Sequence, residues 1–186
     1  MVNQSLNVRS RSYQQTRQLG HRLGELLEGG DVLCLSGDLG AGKTALASGI
    51  AAGWGALENV NSPTFVFVHE HHRARDSQRL FHLDCYRLES AADALSIGLD
   101  DILAGSDVTV IEWPERILSF LPDERLWIAL EQPSAQDERV LIFKPSGSRY
   151  ERLLEELRRK LESGIQGEIA GKISLETKTQ IDADEK

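Results

Sequence analysis

The chain lacks a cysteine framework: Cys34 and Cys85 are its only cysteines, and they are not spaced as the C-x-x-C of a redox or zinc site. Both fall in segments that read as strands, so we expect small core residues. No stretch of about eighteen uninterrupted apolar residues is present, which leaves no helical membrane span. The opening MVNQSLNVRSRSYQQ lacks the apolar core of a secretory signal. The expectation is a soluble, cytoplasmic protein with no membrane association. Positive charge is scarce as well, with 21 Lys and Arg against 29 Asp and Glu and a net charge of -8. Extended nucleic-acid binding depends on neutralising phosphates with Lys and Arg, so this balance argues against it for the chain alone. Any RNA role would be shared with a partner. The local exception is HEHHRARDSQR, residues 69–79, with Arg73, Arg75 and Arg79 beside His69, His71 and His72. It reads as a solvated loop, because nothing else at ligand spacing supports a metal site there.

What is present fits one domain: 186 residues, 40% of them hydrophobic, suffice for a sizeable core. SLNVRS reads as a short strand. Ser12 and Gln15 match a capping box that opens a helix with Leu19, Leu23, Leu26 and Leu27 on one face, stopped by Gly29 and Gly30. DVLCLSG is a nearly continuous apolar strand, the pattern of a parallel sheet covered on both faces. An Ala-rich helix, KTALASGIAAGW, follows, weakened by Gly49 and Gly53. FVFVHEH and RLFHLDCY read as strands, 89–104 as a helix capped by Ser90, and DVTVIEW as a buried strand ended by Pro114. RLWIALEQ and RVLIFKP flank a turn and predict an antiparallel hairpin. A last helix from about Ser148 carries Tyr150, Leu153, Leu154, Leu157 and Leu161 as an apolar stripe. The expected fold is a single α/β domain over residues 1–163, a P-loop NTPase-like mixed β-sheet flanked by helices. Residues 164–186 form a polar tail expected to be disordered or loosely attached.

Between the apolar strand and the Ala-rich helix lies GDLGAGKT, residues 37–44. Gly37, four residues, then Gly42, Lys43 and Thr44 is the spacing of a Walker A phosphate loop, in the strand-loop-helix setting that its mechanism needs. Glycines let successive N–H groups turn inward into an anion nest at a helix N-terminus. Lys43 adds a full charge, and the Thr44 hydroxyl can ligate Mg2+. Nucleotide chemistry also needs a carboxylate near the metal, at the end of a neighbouring buried strand. Glu112 ends VTVIE in that way. Asp84 lies in FHLDCYR, where strand alternation sets His82, Asp84 and Tyr86 on one face. The pattern alone does not choose between them, nor between stacking and packing for Trp113 and Tyr86.

GDLGAGKT, SPTF at 62–65, HLDCYRL at 82–88 and IEWPERI at 111–117 occur in the order and approximate spacing of the TsaE (YjeE-type) family, and over roughly residues 6–161 the chain resembles it. These are bacterial P-loop ATPases required for making threonylcarbamoyladenosine (t6A) at position 37 of tRNA. The resemblance implies ATP and Mg2+ as cofactors, with Leu39, Gly40, Ala41, Gly42, Lys43, Thr44 and Ala45 wrapping the phosphates. It implies Thr44 and Glu112 as metal ligands and Asp84 as the acid supporting hydrolysis. Thr64 resembles a switch threonine sensing the γ-phosphate, and a rigid turn set by Pro63 explains the same residues. Ser12 or Tyr13 is implied near the adenine. The implied partners are TsaD-like and TsaB-like proteins, a transferase complex that ATP hydrolysis resets, with tRNA met only through the complex. The tail after Leu161 is longer than the usual family end.

The rival reading is a small-molecule P-loop kinase, whose lid arginines would be Arg73, Arg75 and Arg79. A third is a scaffold in which nucleotide only stabilises the fold.

Overall fold

The computed structural model describes residues 5–57, 68–132, 138–164 and 175–176. In chain order the elements are β1 (Leu6–Ser10), α1 (Tyr13–Gly24), β2 (Val32–Ser36), α2 (Lys43–Trp54), β3 (Val68–His72), β4 (Arg79–Asp84), α3 (Ala91–Ser96) and α4 (Leu99–Ala104). They continue with β5 (Val108–Glu112), a 3-10 segment (Pro114–Phe120), β6 (Arg125–Glu131), β7 (Arg139–Ser146), α5 (Ser148–Gly164) and β8 (Leu175–Glu176). All eight described strands join one sheet in the order β3-β4-β5-β2-β6-β7-β1-β8. Strands β4, β5, β2 and β6 run parallel, while the pairs β3–β4, β6–β7, β7–β1 and β1–β8 are antiparallel. The mixed α/β sheet expected from the sequence is therefore the observed fold. Within the stretch 164–186, Leu175–Glu176 pair with β1 at the sheet edge.

Strand alternation sorts the core into two layers. One face carries Leu33 and Leu35 of β2, Val108 and Val110 of β5 and Phe143 of β7, packed under α1, α2 and α5. The other carries Cys34, Phe81, Leu83 and Ile111 against α3, α4 and the 3-10 segment. Both cysteines are buried, and desolvation pushes each thiol up to about 12. They are core residues, as expected.

Local chemistry explains most boundaries. Ser12 Oγ accepts from Gln15 N at 3.1 Å, whereas the return bond of Gln15 Oε1 goes to Arg11 N at 2.7 Å, one residue before the expected box partner. Helix α1 ends at Gly24, earlier than Gly29, because the chain turns with Leu26 and Leu27 bonded back to Leu23 and Gly24. The single helix expected over 89–104 is two, α3 and α4, divided at Gly98, whose φ of 71° leaves the helical region. Ser90 and Asp93 complete a reciprocal capping box on α3. Trp127 of β6 donates to Ser36 Oγ of β2 at 2.9 Å, and Arg79 ties β4 to the loop before β5 through Asp107 at 2.8 Å.

Helix α5 is tied to the sheet by polar bonds as well as its apolar stripe. Val32 N donates to Tyr150 Oη at 2.7 Å, and Arg149 pairs with the buried Asp31 at 2.6 Å. Tyr150→Phe leaves the Val32 amide without its acceptor, and such an orphaned donor costs about 1–3 kcal/mol. Denaturant unfolding of Tyr150→Phe should show that loss without a change in slope.

Candidate functional site

The parallel strands bring the site together. Register pairs Leu35 with Glu112 and Asp84 with Glu112, so β2, β5 and β4 end at one level, at the carboxyl edge where such sheets bind ligands. The chain leaves β2 through residues 37–42 and enters α2 at Lys43. Two glycines are required there. A Cβ on Gly37 would stand 2.4 Å from the Leu130 carbonyl oxygen, and Gly42 has a φ of 102° with Arg139 Nε 2.9 Å from where its Cβ would be. Arg139 Nε in turn donates to the Ala41 carbonyl at 3.1 Å.

Lys43 folds over this loop. Its ammonium donates to the carbonyls of Gly37 at 2.7 Å and Asp38 at 2.8 Å, and it lies 3.8 Å from the centroid of the Trp113 ring. Burial lowers its pKa, opposed by the carboxylates of Glu112, Glu115, Asp84 and Asp38. Trp113 holds this place with a φ of 59°, a left-handed conformation rare for a bulky residue, and packs on Tyr86 at 4.9 Å between centroids. Thr44 Oγ1 donates to Glu112 Oε2 at 3.1 Å, and His82 Nε2 lies 2.9 Å from Glu112 Oε1. Asp84 Oδ1 accepts from Tyr86 N at 3.0 Å. Its pKa is raised, first by desolvation, with the Tyr86 amide opposing and the Glu112 charge adding.

These groups surround a cavity of about 330 Å3, which takes in Lys43, Thr44, Asp84, Glu112, Tyr13 and Arg139. Leu39, Gly40, Gly42 and Ala45 also reach it. Ala41 is in the loop by backbone only, since its side chain packs into the core. Ser12 is engaged as the cap of α1, and Tyr13 beside it is the residue that faces the cavity. Thr64 and the SPTF stretch lie outside the described residues. Arg139 was not anticipated: it sits 98 positions from Ala41, and no spacing signal connects them. The arginines of the basic segment do not line this cavity. Arg73 is buried against Trp54 at 4.4 Å and forks onto Asp76, Arg79 pairs with Asp107, and Arg75 stands beside Asp76 at 3.7 Å. No group of three or more His, Cys, Asp and Glu among the described residues is arranged to hold a metal.

The chain is similar to known proteins. A family model described as threonylcarbamoyl adenosine biosynthesis protein TsaE matches residues 10–141. The Bacillus subtilis tRNA threonylcarbamoyladenosine biosynthesis protein TsaE is 40% identical over 154 residues, 83% of this chain and 94% of the relative. The Treponema pallidum protein of the same name is 43% identical over 121 residues, 65% of this chain and 87% of the relative. The crystal structure of YdiB from Bacillus subtilis superposes with a TM-score of 0.69 at 35% identity, covering 86% of this chain and 97% of that one. With the family model spanning most of the chain and the fold shared by a solved relative, the chain belongs to the TsaE family.

Proposed function

We propose that the chain is an Mg2+-dependent ATPase acting in t6A biosynthesis. In this reading ATP binding and hydrolysis reset a complex of TsaD-like and TsaB-like proteins that modifies adenosine 37 of tRNA in the cytoplasm. The observation that carries it is the Thr44–Glu112 contact at the mouth of the phosphate loop. Neighbouring oxygens around an octahedral Mg2+ stand about 3 Å apart when each is roughly 2.0–2.1 Å from the ion. The observed 3.1 Å between Thr44 Oγ1 and Glu112 Oε2 fits that spacing. Thr44 and Glu112 would hold such an ion, which would supply positive charge against the phosphates.

The chain's own groups supply the rest. Amides of Gly40 to Ala45 cradle the phosphates, and Lys43 exchanges the Gly37 and Asp38 carbonyls for phosphate oxygens. Tyr13 and Arg139 flank the cavity on the side of α1. Asp84, made more basic by burial, orients the attacking water and takes its proton as oxygen bonds to the γ-phosphorus and the bridge to ADP breaks. Thr64 is assigned to sensing the γ-phosphate by resemblance. Leu39, 81% exposed, and the exposed Tyr86 and Tyr13 rim the opening, an apolar edge suited to closure by a partner. Among the described residues, no helix is long and apolar enough to cross a membrane.

The test is phosphate release by the purified chain from ATP and Mg2+, alone and with the TsaD-like and TsaB-like pair, beside capture of that pair in ATP and ADP. Turnover without any added acceptor, and capture that differs between nucleotides, are expected. Release that requires a small-molecule acceptor would replace this reading with a kinase. Lys43→Ala removes a charge-assisted contact worth about 1.5–3 kcal/mol, so calorimetry should show ATP affinity reduced roughly 10- to 100-fold.

A further inference from the structure

His82 belongs to the HLDCYRL stretch, yet none of the steps above uses it. It is 1% exposed and its partner Glu112 is 3% exposed. An ionised carboxylate only accepts hydrogen bonds, so the 2.9 Å contact places the hydrogen on His82 Nε2. The other ring nitrogen, Nδ1, is buried without a hydrogen-bond partner among the described residues. A buried polar atom left in that state costs stability, and the arrangement calls for a reason. The register supplies one. His82 pairs with Val110 across β4 and β5, two positions before Glu112 on the same face of the sheet, and its ring therefore reaches diagonally to the acid. Across the other edge of β4, His69 stands opposite His82. The Glu112 carboxylate is consequently held at both ends, Oε1 by His82 and Oε2 by Thr44.

We infer that His82 is a positioning residue for the divalent cation: its Nε2–H fixes Glu112 Oε1 and thereby presents Oε2 beside Thr44 Oγ1. The inference rests on the reading of Thr44 and Glu112 as cation ligands. Without His82 the carboxylate is free to rotate about its last side-chain bond, and the spacing between the two ligand oxygens is no longer preset. A group of this kind acts on cation affinity and leaves the phosphate nest untouched. Loss of such outer partners costs roughly 10- to 100-fold in metal affinity.

The experiment compares His82→Leu, which keeps bulk and removes the donor, with His82→Gln, whose amide N–H can replace Nε2–H. Mn2+ uptake by the protein–ADP complex is read by electron paramagnetic resonance, and ADP binding in EDTA by calorimetry. His82→Leu should weaken Mn2+ roughly 10- to 100-fold with cation-free ADP affinity unchanged, and His82→Gln should recover most of the loss. Parent-like Mn2+ affinity in His82→Leu would overturn the inference while leaving the ATPase reading intact. So would equal losses of Mn2+ and cation-free ADP binding, which would make His82 a core residue only. A parent complex that takes up no Mn2+ would overturn the cation reading, and this inference with it. If His82→Leu does not fold, His82→Asn replaces it, its amide being too short to reach Oε1.

Discussion

Asp84→Asn is expected to slow phosphate release from ATP by roughly 10²- to 10⁴-fold, the usual worth of a positioned general base. The substitution keeps size and shape and removes the capacity to accept a proton. ATP and ADP affinities should stay within a few-fold of the parent, because the contacts proposed for the phosphates lie on α2 and the loop before it. The side chain is already oriented: the Tyr86 amide fixes Oδ1 at 3.0 Å, and the register sets Asp84 beside Glu112. Desolvation makes the carboxyl more basic, which brings it closer to the range in which a base works well at neutral pH. Glu112→Gln should behave differently, losing the dependence on divalent cation along with turnover. Single-turnover phosphate release paired with calorimetry separates the two acids. Asp84→Asn turning over at the parent rate would remove Asp84 from the reaction, and a loss confined to affinity would make it a binding residue.

The phosphate loop was legible because its chemistry is contiguous: glycines, Lys43 and Thr44 are neighbours in sequence, and the strand before them is marked by composition. Glu112 was legible to the extent that an acid ending a buried strand can be seen. What fixed it was the pairing of β5 with β2, which places it on the α2 face beside Thr44. Arg139 carried no such signal, and alternation put His82 on the face of Asp84 without revealing its contact with Glu112. Their contacts span 98 and 30 residues and depend on strand order, which local patterning does not encode. Arg73 shows the reverse: a run of charge read as solvated surface contains an arginine buried on an indole, its Nε and Nη2 bonded to Asp76 and Gln78. The apolar stem of arginine can enter a core while its charged head keeps an ionic partner, here Asp76. The early end of α1 and the break at Gly98 were hidden for a simpler reason, since apolar periodicity continues past both.

Helix propensity accounts for only part of the role of Gly49 and Gly53, and the rest leads to a strong prediction: Gly53→Ala lowers stability, although alanine is the better helix former by about 1 kcal/mol. Helices α1 and α2 touch through backbone. A Cβ on Gly53 would lie 1.9 Å from the His21 carbonyl oxygen, and one on Gly49 would lie 2.1 Å from that of Arg17. From the other side, Gly24 would meet Ile50 O at 2.0 Å and Gly20 would meet Leu46 O at 2.4 Å. Carbonyls within a helix cannot turn aside as side chains do, so each added methyl must push the helices apart. Overpacking of this kind costs typically 1–3 kcal/mol and at times more. At roughly 2–4 °C per kcal/mol for a chain of this size, a melting scan resolves it readily. The consequence extends to the ligand, since Tyr13 of α1 and Lys43 and Thr44 of α2 line the same cavity. Gly53→Ala should therefore weaken nucleotide binding from the far end of α2, through the separation of the two helices. The double variant Gly24→Ala with Gly53→Ala should cost less than the two singles added together, because helices already displaced by one methyl have room for the second. A melting point that rises in Gly53→Ala would mean that propensity outweighs contact and that the two helices do not need their bare backbones to meet.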